Sequence, residues 1–186
     1  FLAKGFKNVT VDKIAKVSEL GKGSIYLYFD SKEEIYAQIL LHDINKFQRQ
    51  AFNLFDKRKS ATDSLFEFSL AYADFFLNDP ELFRILMAFM LSTDHMNPSE
   101  EQYKNIITAM RKTIDIVSSI FQFGIESREY PPTIDIKYNQ LAVWGILNGI
   151  IALHLFSGSE IKRKDKIHST IKATLQTYIT GLKIFG

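Results

Sequence analysis

The sequence contains no cysteine, and it has only four prolines and nine glycines among its 186 residues. The absence of cysteine excludes disulfides, thiolate catalysis and cysteine-ligated metal sites. A hydrophobic content of 46% and a charged content of 24% are those of a globular protein. Because sixteen phenylalanines and eight tyrosines accompany so few helix breakers, we expect an all-α protein whose helices are packed by bulky rings.

A hydrophobic run long enough to span a membrane is also lacking. The most apolar stretch, Leu141 to Phe156, is interrupted by Asn148 and His154 and falls short of the roughly 20 residues that a spanning helix needs. No signal-peptide pattern is visible, and the chain begins at Phe1 without a methionine. We therefore expect a cytoplasmic protein with no membrane partner, whose native N-terminus precedes the given sequence.

Enzyme motifs are missing as well. The sequence has no nucleophile elbow, P-loop, dinucleotide fingerprint or His/carboxylate metal spacing. Its histidines are scattered, and a lone helical histidine is usually structural or exposed. We therefore expect no catalytic residue, no metal site and no cofactor, and a protein that is not an enzyme. The four histidines are His42, His95, His154 and His168.

The most informative stretch is TVDKIAKVSELGKGSIYLYF, residues 10–29, which reads as a helix-turn-helix. Thr10 can cap a first helix, and Asp12 suits the positive end of its dipole. Apolar residues then recur at helical spacing until residues 18–21 break the pattern, and a second short helix follows over 22–29. The apolar positions of the first helix are Val11, Ile14, Ala15 and Val17.

The second helix has two distinct faces. At roughly 100° per residue, Ile25 and Phe29 face the first helix, whereas Gly23, Ser24 and Leu27 lie on the opposite side. A face with so little bulk lets the backbone approach base edges. Ser24 could bond a base or a phosphate, and Leu27 could touch a thymine methyl group.

Phosphate ligands flank this face. Lys22, Tyr26 and Tyr28 lie at its sides, and contacts from such residues fix register rather than read sequence. The next helix begins with a capping-box pattern, Ser31 and Glu34, where backbone N–H groups can hold another phosphate. The residues predicted to contact double-stranded DNA are Thr10, Val11, Lys22, Gly23, Ser24, Tyr26, Leu27, Tyr28 and Lys32.

The run GFKNVTVDKIAKVSELGKGSIYLYFDSKEEI resembles the DNA-binding domain of the TetR family of bacterial repressors, over about the first fifth of the chain. The sequence departs from the family pattern at two positions. Glu19 stands where a turn glycine is common, and it would cost on the order of 1 kcal/mol if that site needs a positive φ. Gly21 stands where a Ser or Thr cap is common. The residues that carry the match are Gly5, Phe6, Thr10, Ile14, Ala15, Lys22, Gly23, Ser24, Ile25, Tyr26, Tyr28, Phe29, Ser31, Lys32 and Glu33.

Charge and helical periodicity fit a head joined to a larger body. Residues 1–60 hold 11 Lys+Arg against 7 Asp+Glu, whereas the remainder holds 12 against 14, so the basic excess lies at the N-terminal end. We predict a helix-turn-helix DNA-binding domain over 1–45, with a truncated first helix closed by Gly5, and a helical ligand-binding and dimerisation domain over 46–186. Further helices are predicted over 31–55, 61–77, 81–92, 99–126, 135–156 and 162–185.

The resemblance implies a homodimer built through the last two helices, about 135–156 and 162–185. Gly145, Gly149 and Ala152 lie near one face and permit close helix approach, and a two-fold dimer matches a palindromic operator. The alternative is ordinary packing within one chain. The apolar positions that the final helix offers are Ile167, Ile171, Leu175, Tyr178, Ile179 and Leu182.

The body is dense in Phe, Tyr and Met, which suits an apolar small-molecule pocket with a few polar anchors. In the resembling family, a ligand bound among these helices shifts the linking helix and releases DNA. The resemblance therefore implies a repressor released by a small apolar or amphipathic effector. Each candidate residue could equally be plain core. The predicted lining residues are Tyr72, Phe76, Phe89, Met90, Met110, Phe121, Trp144 and Asn148.

One further class of function stays open at this point. A helical dimer that binds a small molecule or a partner, but whose DNA-binding head has lost its function, would share most of these features. The departure at Glu19 leaves room for it, and binding to DNA that flanks its own gene separates the two hypotheses.

Overall fold

The computed structural model describes residues 8–54, 56–90, 99–156 and 163–185. Over these ranges the chain forms eight α-helices and no strand, which confirms the predicted all-α class. The helices are α1 (Val11–Val17), α2 (Lys22–Tyr26), α3 (Lys32–Leu54), α4 (Ala61–Asn78), α5 (Pro80–Met90), α6 (Glu100–Glu126), α7 (Ile136–Phe156) and α8 (Arg163–Phe185).

Helices α3 to α8 begin and end within two residues of their predicted positions. Local capping explains this agreement. The Asp79 carboxylate accepts the Leu82 N–H at 2.9 Å, with Pro80 as the first residue of α5, where its missing N–H costs nothing. The Ser99 hydroxyl and the Gln102 side chain satisfy each other's backbone N–H groups at the start of α6.

Helix α2 is shorter than predicted, because it ends at Tyr26 rather than at Phe29. Leu27 keeps right-handed helical angles, with φ −71° and ψ −22°. The N–H groups of Tyr28 and Phe29 then both donate to the Ile25 carbonyl at 3.0 Å. Residues 27–29 therefore form a tightened turn that continues the direction of the helix.

The chain divides into two compact units. The first comprises the described parts of Phe1–Asn45 and Asp79–Ala109, and the second comprises those of Lys46–Asn78 and Met110–Gly186. The predicted domain boundary at residue 45 coincides with one division, but the first unit also contains α5 and the start of α6. Assignment of the two functional domains stays a prediction. The predicted end of a first helix over residues 1–4, with Gly5 and Phe6, lies outside the described residues.

Part of the first unit has its own small core, formed where α1, α2 and α3 meet. Val11, Ala15, Ile25 and Ile35 are buried there, and the half-buried Ile14 and Phe29 pack against them. The helical spacing predicted this arrangement for α1 and α2, except that Val17, at the end of α1, is 84% exposed. Burial of only a few side chains holds these three helices together, so their caps and turn geometry contribute a large share of local stability.

The second unit is organised around α8, on which both α4 and α7 pack. Ile167, Ile171, Leu175 and Ile179 are at most 2% exposed within the single chain. The prediction that these α8 residues offer a subunit interface was therefore wrong, because they are already covered by their own protomer. No described helix is long and apolar enough to cross a membrane.

The turn between α6 and α7 fixes the start of α4. Arg128 adopts a left-handed φ of 61°, and the following Glu129 carboxylate accepts the N–H groups of Ala61 at 2.6 Å and Thr62 at 3.1 Å. Partial burial by itself raises the pKa of Glu129, but these hydrogen bonds and the nearby Lys183 outweigh burial and hold the pKa below its usual value. Glu129 thus caps α4 from another part of the chain.

Candidate nucleic-acid interface and ligand site

The face of α2 that was predicted to approach DNA is exposed. Ile25 anchors the helix in the core at 5% exposure, whereas Leu27 on the other side is 80% exposed. Gly23 and Ser24 are exposed beside it. A Cβ atom added at Gly23 would meet no atom within 4 Å, so the fold itself does not require a glycine there. The surface formed by Gly23, Ser24 and Leu27 is therefore accessible to a large partner such as the groove of a DNA duplex.

The flanking residues are also exposed, and one of them is held in place. The Tyr28 ring is 78% exposed and the Tyr26 ring 47%. The Lys22 ammonium lies 2.8 Å from an Asp12 carboxylate oxygen. Its hydrogen bond and attraction to Asp12 raise the pKa of Lys22, so the group stays charged. A DNA phosphate that binds Lys22 must share it with Asp12 or displace that carboxylate.

Thr10 and Val11, at the start of α1, have structural tasks of their own. The Thr10 hydroxyl is exposed, but it accepts the Lys13 N–H at 3.3 Å as the cap of α1. Val11 belongs to the small core formed where α1, α2 and α3 meet. Its side chain is therefore buried away from any partner, and the predicted Val11 contact with DNA stays a prediction.

The start of α3 is capped as predicted, with a small change in partner. The Ser31 hydroxyl accepts the Glu34 N–H at 3.1 Å, and the Glu34 carboxylate accepts the N–H of Asp30 at 2.6 Å. Lys32 is half-buried and donates to the Val9 carbonyl at 3.2 Å. A phosphate contact by Lys32 would have to compete with that bond.

The turn between α1 and α2 has the left-handed geometry that the resemblance led us to expect. Glu19 adopts a φ of 56°, and the Leu20 N–H closes the turn on the Ala15 carbonyl at 3.0 Å. Gly21 is the N-cap of α2, with a φ of −66° and no side-chain cap bond. The substitution at Glu19 therefore preserves the turn at a cost in backbone strain.

Four of the eight predicted ligand-lining residues meet in the second unit. The Tyr72 ring lies 5.2 Å from the Trp144 ring and 4.9 Å from the Phe76 ring, measured between centroids. The Tyr72 hydroxyl donates to the Asn148 amide oxygen at 2.9 Å. Burial raises the pKa of Tyr72, so its hydroxyl stays protonated. We call Tyr72, Phe76, Trp144 and Asn148 the aromatic cluster.

The other four predicted residues lie elsewhere. Phe121 is buried against the Tyr130 ring at 5.7 Å, and Met110 is buried. Phe89 belongs to the first unit and packs on Tyr103 at 5.0 Å. Met90 is also in the first unit and is 41% exposed. A ligand-binding role for any of the eight residues stays a prediction.

Sequence reasoning did not assign Phe47 to this site. Its ring lies 5.6 Å from Tyr72 and 5.1 Å from Phe75, so the long helix α3 contributes a side chain to the surroundings of the aromatic cluster. Its apolar spacing on α3 marked it as a core position, but no feature of the sequence indicated that Tyr72 would be its partner. The same helix begins directly after the helix-turn-helix.

A capped helix-turn-helix with an exposed second helix, within an all-α chain, is the arrangement found in helix-turn-helix DNA-binding proteins. The model of the family described as bacterial regulatory proteins, tetR family, matches residues 1–39. The N-terminal part of the chain is therefore similar to this family of bacterial regulatory proteins.

Two curated relatives match the chain over different lengths. The uncharacterized HTH-type transcriptional regulator YhgD of Bacillus subtilis is 35% identical over 51 residues, which is 27% of this chain and 27% of that protein. The chain thus matches only about a quarter of that relative's length. The fatty acid metabolism regulator protein of Bacillus subtilis is 22% identical over 144 residues, or 77% of this chain and 72% of that protein.

A solved structure shares the fold over nearly the whole chain. The transcriptional regulator FadR of Bacillus subtilis in complex with stearoyl-CoA superposes with a TM-score of 0.75 at 19% identity, covering 94% of this chain and 91% of that one. At this identity the likeness shows a common fold. The chain therefore shares the helical fold of that structure.

Proposed function

We propose that the protein is a ligand-responsive transcriptional repressor that binds a palindromic operator as a homodimer and is released by a small apolar or amphipathic effector. The observation that carries the proposal is the exposed face of Gly23, Ser24 and Leu27, anchored from behind by Ile25. A side chain as apolar as Leu27 gains nothing from exposure to water, whereas it can pack on a thymine methyl group. Tyr26, Tyr28 and Lys22 supply phosphate contacts around it.

A second copy of the chain has a face to bind on α7. The inner side of this helix is filled by Val143, Leu147 and Ile151, which are at most 1% exposed. The opposite side is apolar and uncovered in the single chain. Side chains added at Gly145 and Gly149 would meet nothing within 4 Å, so another helix could approach closely there. The uncovered residues of this side are Tyr138, Leu141, Ala142, Gly145, Gly149 and Leu153.

The effector that we propose is a long-chain acyl thioester of coenzyme A. The related structure from Bacillus subtilis is a complex with stearoyl-CoA, and the relative matched over most of this chain is a fatty acid metabolism regulator. The aromatic cluster offers apolar surface of the kind that such a chain needs. The contact between Tyr72 and Phe47 suggests how a bound ligand would release DNA. A ligand that displaces Tyr72 also displaces the Phe47 ring, and Phe47 belongs to α3.

A mobility-shift assay with DNA flanking the protein's own gene tests this proposal. We expect a specific complex that weakens steeply with salt and that is dissolved by palmitoyl-CoA but not by coenzyme A alone. Coenzyme A is the matched control because it carries the same charge without the apolar chain. Absence of any specific complex would instead favour a helical dimeric binding protein without DNA-binding function.

A further inference from the structure

The aromatic cluster contains a buried hydrogen-bond donor without a partner. Trp144 is 8% exposed, and its indole Nε1 has no hydrogen-bond partner among the described residues. Leaving such a group unpaired costs free energy, and most buried polar atoms in proteins are paired. A hydrogen-bond acceptor next to this N–H would therefore be stabilising, and the described part of the chain does not supply one.

The neighbouring polar groups are already committed to each other. The Asn148 Nδ2 donates to the Trp144 backbone carbonyl at 2.9 Å. Because a carbonyl only accepts, this bond fixes the orientation of the amide and turns its oxygen toward Tyr72. The Tyr72 hydroxyl then donates to that oxygen at 2.9 Å. Neither bond involves the indole N–H, so a ligand group could engage Trp144 without breaking them.

The surroundings also restrict the charge of an acceptor. Among the described residues, the buried polar ones are Ser64, Ser69 and Thr113, and none of these is charged. An ionised carboxylate brought to this depth would have no buried cation to pair with, and that is costly. A carbonyl oxygen carries no net charge and accepts a hydrogen bond well.

We infer that the Trp144 indole N–H binds the carbonyl oxygen of an acyl thioester, whose apolar chain lies against Tyr72 and Phe76. This inference rests on the proposed function, and it adds the chemical group that the site recognises. Because Nε1 is buried, the carbonyl reaches it only when neighbouring side chains move. Binding therefore disturbs the aromatic cluster, in which Tyr72 contacts the Phe47 ring of α3.

A ligand pair that differs only in this carbonyl tests the inference. Palmitoyl-CoA has the thioester carbonyl, whereas S-hexadecyl-CoA is the thioether that lacks it. We expect the wild-type protein to bind palmitoyl-CoA about 2- to 10-fold more tightly, the range for one hydrogen bond. In Trp144→Phe, both ligands lose packing equally, so we expect the preference between them to disappear. Isothermal titration calorimetry measures all four affinities.

A second readout uses the fact that Trp144 is the sole tryptophan of the chain. Its indole N–H gives one side-chain signal in a nitrogen–proton correlation spectrum, and palmitoyl-CoA should move the proton to lower field while S-hexadecyl-CoA does not. An equal preference for palmitoyl-CoA in the wild type and in Trp144→Phe would overturn the inference, as would failure of palmitoyl-CoA to bind. Operator binding, measured separately, shows whether the proposed regulator function survives that result.

Discussion

Glu19 occupies a backbone conformation that a residue with a side chain seldom adopts. Its φ of 56° brings Cβ close to the following carbonyl oxygen, and glycine avoids that contact. The helix-turn-helix therefore forms with a strained residue in its turn. Ile25 and Val11, on the two sides of the turn, are buried in the small core of α1, α2 and α3. Their burial stabilises the turn conformation against this strain.

Replacing this residue should stabilise the protein. We expect Glu19→Gly to raise the free energy of unfolding by about 1 kcal/mol or less, because the relief of strain is partly offset by the greater freedom of glycine in the unfolded chain. Urea denaturation measures the change. Ser18→Gly is the matched control, since Ser18 has a φ of −85° and carries no such strain. An equal gain in both variants would contradict this account of the turn.

Glu129 contributes stability that depends on pH. Its folded pKa lies below its usual value, so the contribution is complete above the unfolded pKa, about 4.3, and is lost as the pH falls through the folded pKa. We expect Glu129→Gln to cost about 1 to 2 kcal/mol at neutral pH, as for loss of a helix cap. The difference from the wild type should shrink on acidification.

Denaturation midpoints at pH 7 and in a series that continues down to pH 3 test the Glu129 contribution. Glu126→Gln serves as the control, because Glu126 is an exposed carboxylate three residues earlier, at the end of α6, and the hydrogen bond described for it comes only from the Gln122 side-chain amide. A difference between Glu129→Gln and the wild type that stays constant with pH would mean that the carboxylate charge does not stabilise α4.

At the scale of elements, we expect α2 and the turn that follows it to separate sequence reading from phosphate binding. Ser24 and Leu27 lie on its open face, whereas Tyr26 and Tyr28 flank it. We expect Ser24→Ala and Leu27→Ala to change which operator sequences bind best, with a loss of about 1 to 3 kcal/mol at the base pair that each residue contacts. Selection from a randomised operator library measures the preference. Retention of the wild-type preference in both variants would exclude base reading by this face.

The helices themselves could be predicted from the sequence because capping residues and apolar spacing are local signals. Pro80 and Ser99 mark helix starts that the structure confirms. The surroundings of a helix depend on contacts between distant parts of the chain, and one sequence does not specify those. The buried residues of α8 were therefore assigned to the wrong partner, and Phe47 was not linked to Tyr72.

The candidate DNA-binding surface was predictable to a greater extent than the ligand site. Its residues lie within about twenty positions of one another, so helical geometry alone places Leu27 opposite Ile25. The proposed ligand site combines residues from α4 and α7, which are far apart in the sequence. Composition indicated that aromatic residues would line it, but only the fold brings Tyr72 to Trp144 and leaves Phe121 and Met90 elsewhere.

At the scale of the whole molecule, palindrome recognition requires two copies of the chain in a fixed relation. We expect Gly149→Arg to fold and yet to remain monomeric, because the added side chain meets nothing within its own protomer but would fill the gap between two α7 helices. Analytical ultracentrifugation measures the mass. Ser119→Arg, at an exposed position on α6, is the control. A dimeric Gly149→Arg would place the interface elsewhere.

The most direct test of the central claim, that the exposed flank of α2 binds duplex DNA, is operator affinity measured by fluorescence anisotropy over a salt series. The double variant Lys22→Ala/Tyr26→Ala should bind every DNA sequence more weakly than the wild type, with a salt slope smaller by about 1 because one cationic phosphate contact is lost. Lys112→Ala, which removes the same charge from an exposed position on α6, should bind like the wild type. Unchanged affinity and unchanged slope in the double variant would contradict the account.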